Sequence, residues 1–189
     1  MAIVRSETAI SNMTSGHRGI KQGSAFCWLY KAWAEGNEER GIVRLPDDAT
    51  VVEVGCGPLH SLGYLCDVAP PTWNIISVDP YYEGNAFADF CRVATENLGD
   101  VINRVKFLRW PSPQVCSLFE DESVDAVLID GDHSYHGVLA DIAGWMHKVK
   151  PGGYIAGDDV DPDFPGAEQA FVDMFGDLQC WGSTAVVRR

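Results

Sequence analysis

The sequence predicts an α/β fold in which a mostly parallel sheet is covered by helices on both faces. After residue 49, short apolar runs alternate with amphipathic segments of helical length. This alternation is typical of right-handed βαβ crossovers. The apolar runs are nearly continuous, as expected for strands that are buried on both faces. Polar residues follow directly after several of these runs, at the edge of the sheet where such folds bind their ligands.

The individual elements follow from local patterns. Apolar runs bounded by turn residues predict strands, and apolar residues at helical spacing before a Gly or Pro stop predict helices. The predicted strands span 50–54, 74–78, 104–110, 124–130 and 154–159. The predicted helices span 23–35, 59–69, 85–99, 113–119, 136–149 and 166–176. Two short apolar runs around Gly182-Ser183 close the chain and predict a terminal hairpin.

The chain is long enough for one domain with a short appendage, since it has 189 residues. We expect residues 1–49 to form an N-terminal leader with a cap helix, and residues 50–189 to form the α/β domain. Within the leader, we expect residues 1–15 to be disordered. Pro151-Gly152-Gly153 should separate the helix over 136–149 from the strand that follows it.

The charge of the chain argues against several partners. The formal net charge is −13 at pH 7, and the closest basic grouping is Arg188-Arg189. Nucleic-acid binding requires a basic face, so we predict no nucleic-acid partner. An anionic membrane surface is disfavoured for the same reason. The sequence also lacks an apolar run of about 18 residues, which a membrane-spanning helix would need.

The cysteines indicate a reducing compartment. The six cysteines are irregularly spaced, and none forms a CxxC pair. Metal ribbons and redox motifs are therefore disfavoured. Most of the cysteines lie in apolar contexts, where a free cysteine behaves as a small hydrophobic residue. We therefore expect a cytoplasmic protein.

The first strand ends in the turn Glu53-Val54-Gly55-Cys56-Gly57, which suits the close approach of a ligand to the backbone. A tight turn without a ligand remains the alternative. A dinucleotide fingerprint requires a third glycine, and His60 stands at that position. S-adenosylmethionine sites use an acidic residue before such glycines and a second one after the next strand. Asp79 supplies the second, unless it only caps the turn before Pro80.

Four segments carry a resemblance to a known family. They are VVEVGCG, IISVDP, VDAVLIDGDHSYHGVLADIAGWMHKVKPGGYIAGDD and FPGAEQAF. The chain resembles the class I S-adenosylmethionine-dependent methyltransferases over roughly residues 50–176, and among them the small-molecule O-methyltransferases of the macrocin and catechol type. The resemblance implies a Rossmann-like, three-layer α/β/α fold. Its seven-stranded sheet would be mostly parallel, with an antiparallel last strand.

The resemblance also implies a set of cofactor contacts. Gly55 and Gly57 would lie under the methionine moiety, and Asp79 would hold the ribose. Ser112 matches a serine that touches the adenine in related enzymes. Trp110 could stack on the purine or belong to the core. The cofactor-binding set also includes Glu53, Cys56 and Asp130. Lys21 and Gln22, in a turn like one in catechol-type members, are further candidates near the cofactor.

A metal site is expected at the ends of two later strands. The resemblance implies that Asp130, Asp158 and Asp159 are its ligands. Three carboxylates at neighbouring strand ends would repel one another without a cation. Hard oxygen ligands suit a divalent ion, with Mg²⁺ the first choice. The alternative is that Asp158 and Asp159 only open a solvated acidic loop.

His133 is the candidate catalytic base, together with Asp130 as a catalytic group. An imidazole titrates close to neutral pH, which suits removal of a hydroxyl proton. The catechol-type enzymes have a lysine at this spacing, so the base departs from their pattern. The alternatives are that His133 caps the next helix or orients Asp130. For Asp132 we expect a role in the turn or at the helix N-terminus.

The predicted activity is methyl transfer from S-adenosylmethionine to a hydroxyl of a small-molecule acceptor, assisted by a divalent metal. Two alternatives remain within the same fold: a cofactor-binding accessory protein, and a metal-independent methyltransferase acting on another acceptor class. A nicotinamide-dependent oxidoreductase is a third. Because the chain is short, a homodimer is possible, in which a second subunit completes the acceptor pocket. The identity of the acceptor is not encoded in a recognisable way.

Overall fold

The computed structural model describes residues 3–6, 27–80 and 87–189. The strands are β1 (Ile3–Ser6), β2 (Thr50–Val54), β3 (Asn74–Val78), β4 (Val105–Leu108), β5 (Val124–Ile129), β6 (Val149–Gly157), β7 (Leu178–Trp181) and β8 (Thr184–Arg188). The α-helices are α1 (Cys27–Glu35), α2 (His60–Val68), α3 (Phe87–Leu98), α4 (Ser112–Val115), α5 (Tyr135–Trp145) and α6 (Pro165–Phe175). The predicted helix starts at 23 and 85 lie outside the described residues.

The sheet confirms the predicted α/β fold. Its strand order is β1-β7-β8-β6-β5-β2-β3-β4. The last strand, β8, runs antiparallel to both of its neighbours, and the other pairings are parallel. Residues 50–189 thus supply the seven predicted strands, including the terminal hairpin. The carboxyl ends of β2, β3 and β5 lie side by side at one edge, where the candidate residues follow.

The N-terminal segment adds an eighth strand that the sequence did not predict. Ile3–Ser6 pairs in parallel with β7 at the edge of the sheet. The expectation of disorder over residues 1–15 is therefore wrong for these four residues. Their backbone groups complete hydrogen bonds that the edge of β7 would otherwise offer to water. A pairing so distant in sequence leaves no local pattern by which it could be predicted.

The alternation of side chains along the strands divides the core into two layers. On β2, Val51 packs with residues of α1, α2 and α3 on one face of the sheet. Val52 and Val54 pack with α4, α5 and α6 on the other face. This arrangement confirms the three-layer prediction. Glu53, the next residue of β2 on the same face as Val51, carries a carboxylate that is fully buried.

The boundary between α5 and β6 corrects one prediction. The helix ends at Trp145 rather than at residue 149, and Pro151-Gly152-Gly153 lies inside β6. Gly152 has a φ of 83°, and the register between β5 and β6 shifts at this point. A Cβ on Gly153 would lie 2.5 Å from the carbonyl oxygen of Asp125. The glycines therefore form an irregularity within a paired strand instead of a loop before it.

Two further predictions concern the chain as a whole. All six cysteines are free, as expected from their spacing. Within the described ranges, no helix is long and apolar enough to cross a membrane.

Candidate functional site

A cavity of about 1060 Å³ opens at the carboxyl ends of β2, β3 and β5. The turn after β2 and the residues that end β3 form its base, and Val54 and Val78 contribute apolar side chains there. Side chains of α3 and α5 and the start of α4 form its walls. The cavity therefore lies where a doubly wound sheet is expected to bind its ligand.

The glycine turn after β2 has its shape for a steric reason. Gly55 has a φ of 81°, and a Cβ on it would lie 2.1 Å from the backbone carbonyl oxygen of Asp130. Gly57 has a φ of 42°, and no atom lies within 4 Å of the place where its Cβ would be. Gly55 thus permits close contact with the end of β5, whereas Gly57 leaves open space on the cavity side.

Asp79 faces this turn from the end of β3. Its Oδ2 accepts a hydrogen bond of 3.0 Å from the backbone N–H of Gly57, and it lines the cavity. The carboxylate therefore braces the glycine turn and borders the ligand space at the same time. This position of Asp79 is compatible with both predicted roles, as a residue of the turn and as a contact to the ribose.

Glu53 and Cys56 are buried beneath the cavity. The carboxylate of Glu53 accepts hydrogen bonds from Tyr30 Oη on α1 and Ser61 Oγ on α2. Neither Glu53 nor Cys56 is among the described residues that line the cavity. Burial raises the pKa of Glu53 to about 8, and the hydrogen bonds from its two partners oppose that rise. Burial likewise raises the pKa of the Cys56 thiol, so it is not a thiolate at neutral pH.

Ser112 lies at the cavity wall, but its hydroxyl is already engaged. The hydroxyl accepts a hydrogen bond of 2.7 Å from Nε1 of Trp145 on α5. Burial raises the pKa of Asp141, on the same helix as Trp145, to about 6, and Ser112 opposes that rise. Trp110 is 63% exposed, which excludes the alternative that it is a core residue. It is not among the described residues that line the cavity.

Three side chains converge at the end of β5. Nε2 of His133 lies 3.3 Å from Oδ1 of Asp130 and 3.3 Å from Oδ2 of Asp159. One nitrogen or oxygen atom from each residue lies within 4.8 Å of those of the other two, a spacing that could hold a metal ion. The His133 ring also lies beside Phe164, with 4.8 Å between the ring centroids. We call Asp130, His133 and Asp159 the acid–histidine cluster.

The acid–histidine cluster perturbs the pKa values of its members. The hydrogen bond with Asp130 raises the pKa of His133 most, the charges of Asp130 and Asp159 add to this, and burial opposes it. Burial raises the pKa of Asp130, and the contact with His133 opposes that rise. The imidazole is thus held between two carboxylates that favour its protonated form.

Asp158 lies next to the cluster but is engaged elsewhere. Its Oδ1 accepts hydrogen bonds from Ser183 Oγ at 3.0 Å and Thr184 Oγ1 at 3.1 Å. Burial raises its pKa to about 7, and the charges of Asp130 and Asp159 add to the rise. Asp159 has a φ of 53°. The structure therefore brings His133, rather than Asp158, together with Asp130 and Asp159. The solvated-loop alternative does not describe Asp158, which is half-buried and accepts hydrogen bonds from two hydroxyls.

The neighbours of His133 account for the start of α5. Ser134 is its N-cap, and its hydroxyl accepts a hydrogen bond of 3.1 Å from the N–H of Gly137. His133 therefore does not cap this helix. Oδ1 of Asp132 accepts a hydrogen bond of 2.9 Å from the N–H of Ser134, which confirms its expected role in the turn.

Sequence reasoning missed Asp141, a nearly buried carboxylate that lines the cavity from α5. The signal was available, since Asp141 interrupts an otherwise apolar helix. The helical period alone could not show which face meets the cavity. Two other candidates, Lys21 and Gln22, lie outside the described residues.

The comparisons with known proteins decide the family. The sequence pattern of the methyltransferase domain family matches residues 52–160, which is more than half of the chain. The chain belongs to the class I S-adenosylmethionine-dependent methyltransferases. The predicted transferase activity is thereby confirmed at this level, and the nicotinamide-dependent alternative is wrong. A search of curated proteins finds no match to this methyltransferase.

Solved structures agree with the fold. A protein from Corynebacterium glutamicum is 16% identical, with a TM-score of 0.62 over 88% of this chain and 81% of that one. The cofactor-bound protein Rv0187 from MTB is 21% identical, with a TM-score of 0.59 over 87% and 70%. CalS11, a TDP-rhamnose 3′-O-methyltransferase of calicheamicin biosynthesis, is 15% identical, with a TM-score of 0.57 over 74% and 71%.

The cavity of this methyltransferase fits S-adenosylmethionine in size and charge. Its volume of about 1060 Å³ lies just above the range for small-molecule sites, about 300–1,000 Å³. Arg92 is the one basic residue among the described residues that line it, against five aspartates. The aspartates are Asp79, Asp89, Asp130, Asp132 and Asp141. An acidic lining suits a cofactor that carries a positively charged sulfonium.

Proposed function

We propose that this methyltransferase transfers the methyl group of S-adenosylmethionine to a hydroxyl of a small-molecule acceptor at the acid–histidine cluster. The observation that carries the proposal is the position of His133 Nε2, 3.3 Å from each of two carboxylates and next to the cofactor cavity. Such a cluster can promote loss of the proton from an acceptor hydroxyl, either by holding a metal ion that lowers the pKa of the hydroxyl or by receiving the proton on the imidazole.

The placement of the cofactor is part of the proposal. Gly57 would lie under the methionine moiety, Asp79 would accept hydrogen bonds from the ribose hydroxyls, and the wall at Ser112 would face the adenine. Gly55, which also lines the cavity, would lie under the methionine moiety beside Gly57, whereas Glu53 and Cys56 would support the turn from below without touching the ligand. When bound, S-adenosylmethionine supplies an electrophilic methyl group on a sulfonium. Trp110, exposed on the loop after β4, would stack on the purine from outside the cavity.

We propose that the acid–histidine cluster also holds a divalent metal. Asp130, His133 and Asp159 would bind an ion such as Mg²⁺, which would lower the pKa of the acceptor hydroxyl and fix its position. The imidazole makes the donor set suitable for Mn²⁺ or Zn²⁺ as well as for Mg²⁺. Asp158 would contribute through its charge, since its Oδ1 is taken by Ser183 and Thr184.

A second candidate is a metal-independent reaction with His133 as the general base, favoured by the hydrogen bond between His133 and Asp130. Because Nε2 of His133 would donate its hydrogen to the carboxylates, the hydroxyl proton would pass to Nδ1 of the same ring while the hydroxyl oxygen forms its bond to the methyl carbon. The bond between that carbon and the sulfonium breaks, and S-adenosylhomocysteine leaves. Asp130 and Asp159 would stabilise the imidazolium that results.

A small-molecule acceptor is supported by charge and by likeness. The net charge of −13 disfavours nucleic acid as the acceptor. CalS11, whose fold is similar, methylates a hydroxyl of a nucleotide sugar according to its name. We propose an acceptor of comparable size.

We also propose that residues 1–49 cap the acceptor side of the domain formed by residues 50–189. The contact of Tyr30 on α1 with Glu53 supports this, because it ties the N-terminal helix to the strand beneath the glycine turn. The cytoplasmic location also remains a proposal, which the free cysteines support because reduced thiols persist there.

Calorimetric titration of S-adenosylhomocysteine with Mg²⁺, with Mn²⁺ and with EDTA tests the cofactor and the metal. We expect micromolar binding whose heat changes when metal is added, and loss of that metal effect in Asp159→Asn. Asp163→Asn is the matched control, since Asp163 is exposed in the same acidic loop. Absence of binding would contradict the cofactor site.

Methyl transfer to a panel of phenols, sugars and nucleotide sugars tests the acceptor, with the methylated position located by mass spectrometry. We expect methyl ethers, and at least a hundredfold loss of rate in His133→Ala, in line with the usual contribution of a general base, about 10²–10⁴. Activity that persists in EDTA would support the second candidate. Methylation confined to nitrogen or carbon atoms would contradict both.

A further inference from the structure

The turn between β7 and β8 contacts the residues on both sides of Asp159. The hydroxyls of Ser183 and Thr184 donate hydrogen bonds of 3.0 and 3.1 Å to Oδ1 of Asp158. The backbone carbonyl of Ser183 accepts a hydrogen bond of 2.8 Å from the N–H of Val160. We call Ser183 and Thr184 the hairpin clamp, because they hold the residue before Asp159 and the residue after it.

The backbone of Asp159 is in a conformation that needs such support. Its φ of 53° lies in the left-handed region. Aspartate tolerates this region better than most residues with a side chain, but the conformation still costs free energy. Strained conformations of this kind persist where the surrounding structure fixes them, and they are concentrated at functional sites. The contacts that fix the neighbours of Asp159 therefore decide whether it keeps this conformation.

The hairpin clamp acts on both neighbours of Asp159, whereas the sheet holds only one of them. On the preceding side, the N–H of Asp158 donates a hydrogen bond of 3.1 Å to the carbonyl of Ile129, the last residue of β5. On the following side, Val160 is fully buried in the core between the sheet and α6. The hydrogen bond from its N–H to Ser183 fixes the direction in which the chain leaves Asp159.

This backbone conformation determines where the Asp159 carboxylate points. Its Oδ2 lies 3.3 Å from Nε2 of His133. If φ returned to a negative value, the Cβ would leave the backbone in another direction and the carboxylate would turn away from the imidazole. Groups that bind a metal must hold their positions within about 0.5 Å, so a small rotation at Asp159 would be enough to weaken binding.

We propose that Ser183 and Thr184 are positioning residues, which place the Asp159 carboxylate in the acid–histidine cluster and thereby set the affinity of the cluster for its metal. They act through the backbone on both sides of Asp159, and Asp158 is the side chain that links them to it. The inference rests on the proposed metal site. It gives the terminal hairpin a role in the reaction, although the hairpin supplies no group to the cluster.

The experiment measures two affinities of the full chain by calorimetry, for Mn²⁺ alone and for S-adenosylhomocysteine in EDTA. The double variant Ser183→Ala/Thr184→Val removes both hydroxyls. We expect it to bind Mn²⁺ at least about tenfold more weakly, which is the usual effect of losing groups that orient a metal ligand. Its affinity for S-adenosylhomocysteine should stay at the wild-type value, because neither residue is among the described residues that line the cavity.

Conservative variants and a control separate positioning from a general loss of structure. Thr184→Ser and Ser183→Thr keep a hydroxyl at each position, so they should retain the wild-type affinity for Mn²⁺. Ser123→Ala is the control, since it removes a hydroxyl that donates a hydrogen bond of 2.7 Å to the carbonyl of Glu120, just before the opposite end of β5. It should leave both affinities unchanged.

Circular dichroism and thermal unfolding establish that each variant is folded. Thr184 is fully buried, so Thr184→Val is the change that is more disruptive to folding. Ser183 is half-buried, and Ser183→Ala alone serves where the double variant does not fold. We expect this single change to weaken Mn²⁺ binding by at least about threefold, half of the tenfold effect on a logarithmic scale.

Three results would overturn the inference. Unchanged Mn²⁺ affinity in the double variant, or in Ser183→Ala when that is the only folded one, would leave the metal site intact and remove the role of the hairpin clamp. An equal loss of affinity for Mn²⁺ and for S-adenosylhomocysteine would make the clamp a contribution to general stability. A wild type that binds no Mn²⁺ would contradict the proposed metal site and, with it, this inference.

Discussion

Among the described glycines, Gly55 leaves the least room for a side chain. Alanine there would combine a φ of 81° with a Cβ placed 2.1 Å from the carbonyl oxygen of Asp130. We expect Gly55→Ala to lower the free energy of unfolding by at least about 3 kcal/mol, because the ends of β2 and β5 must separate. Urea denaturation measures this change.

Gly41→Ala is the control for that prediction. Gly41 has a φ of 65°, with nothing within 4 Å of its missing Cβ, so only the backbone preference is tested. We expect a cost of about 1 kcal/mol. Equal costs at the two positions would mean that the contact with Asp130 relaxes easily.

Glu53 makes stability depend on pH. Its pKa is about 8 in the folded protein against an ordinary value of 4.5, so the folded state holds the proton that the unfolded state releases between these values. The free energy of unfolding should therefore fall as pH rises from about 4.5 to 8, by at most about 1.4 kcal/mol per pH unit. Glu53→Gln, which keeps a neutral side chain, should remove this part of the slope.

Urea denaturation at a series of pH values checks the slope, with the exposed Glu39→Gln as the control that should retain it. An identical slope in Glu53→Gln would mean that Glu53 is ionised when folded.

At the residue scale, the sequence predicted which chemical groups lie near the site better than it predicted which of them contact one another. It placed Asp130, Asp158, Asp159 and His133 at one edge of the sheet, because strand ends can be recognised from apolar runs. It could not predict that Asp158 bonds to Ser183 and Thr184 while His133 lies between the other two carboxylates. Side-chain direction at a strand end depends on the backbone angles of one or two residues.

At the scale of elements, close packing of α6 against the start of α5 positions the cluster. A Cβ on Gly166 would lie 2.6 Å from the backbone nitrogen of Tyr135 and 2.9 Å from the carbonyl oxygen of His133. We expect Gly166→Ala to displace His133 and to weaken metal binding by at least about fivefold, since ligand positions must hold within about 0.5 Å. Calorimetric titration of Mn²⁺ measures the affinity.

Gly176→Ala serves as the control on the same helix. Gly176 follows the C-terminus of α6, has a φ of 78°, and has nothing within 4 Å of its missing Cβ. It should cost stability and leave the metal affinity unchanged. Equal metal affinities in Gly166→Ala and Gly176→Ala would show that the packing of α6 does not position the acid–histidine cluster.

Most elements were predictable because each carries its own period of apolar residues. Two features differ from the prediction, the strand β1 and the glycines inside β6, and both differences have the same cause. β1 exists through a partner strand that lies near the other end of the chain. The glycines before Tyr154 continue β6 because Gly152 donates a backbone hydrogen bond to Arg189 and Gly153 accepts one from it. Both depend on pairing between distant segments, which local propensity does not encode.

At the scale of the molecule, the net charge of −13 should be visible in stability. Repulsion among surface carboxylates opposes the compact state, and salt screens it. With EDTA present to remove divalent ions, we expect sodium chloride to raise the free energy of unfolding, by about 1 kcal/mol. Thermal unfolding over a series of salt concentrations checks this, and a fall in stability would show that ion pairs outweigh the repulsion.

The homodimer remains a prediction about the whole molecule. If a second copy completes the acceptor pocket, the specific activity should fall on dilution as the dimer dissociates. Sedimentation velocity and activity measured over the same concentration range test this. A monomer with constant specific activity would contradict it.

The sequence by itself determined the layered α/β fold, the antiparallel last strand, the family and the edge of the sheet that carries the chemistry. The layered fold and the edge of the sheet follow from local periodicity, and the antiparallel last strand and the family follow from the resemblance that four short segments carry. Only the tertiary structure decided which side chains meet there: His133 with two carboxylates, Glu53 buried beneath the turn, and Asp141 buried at the cavity wall. Such contacts join residues from different elements, and their geometry is set by packing that no single segment contains.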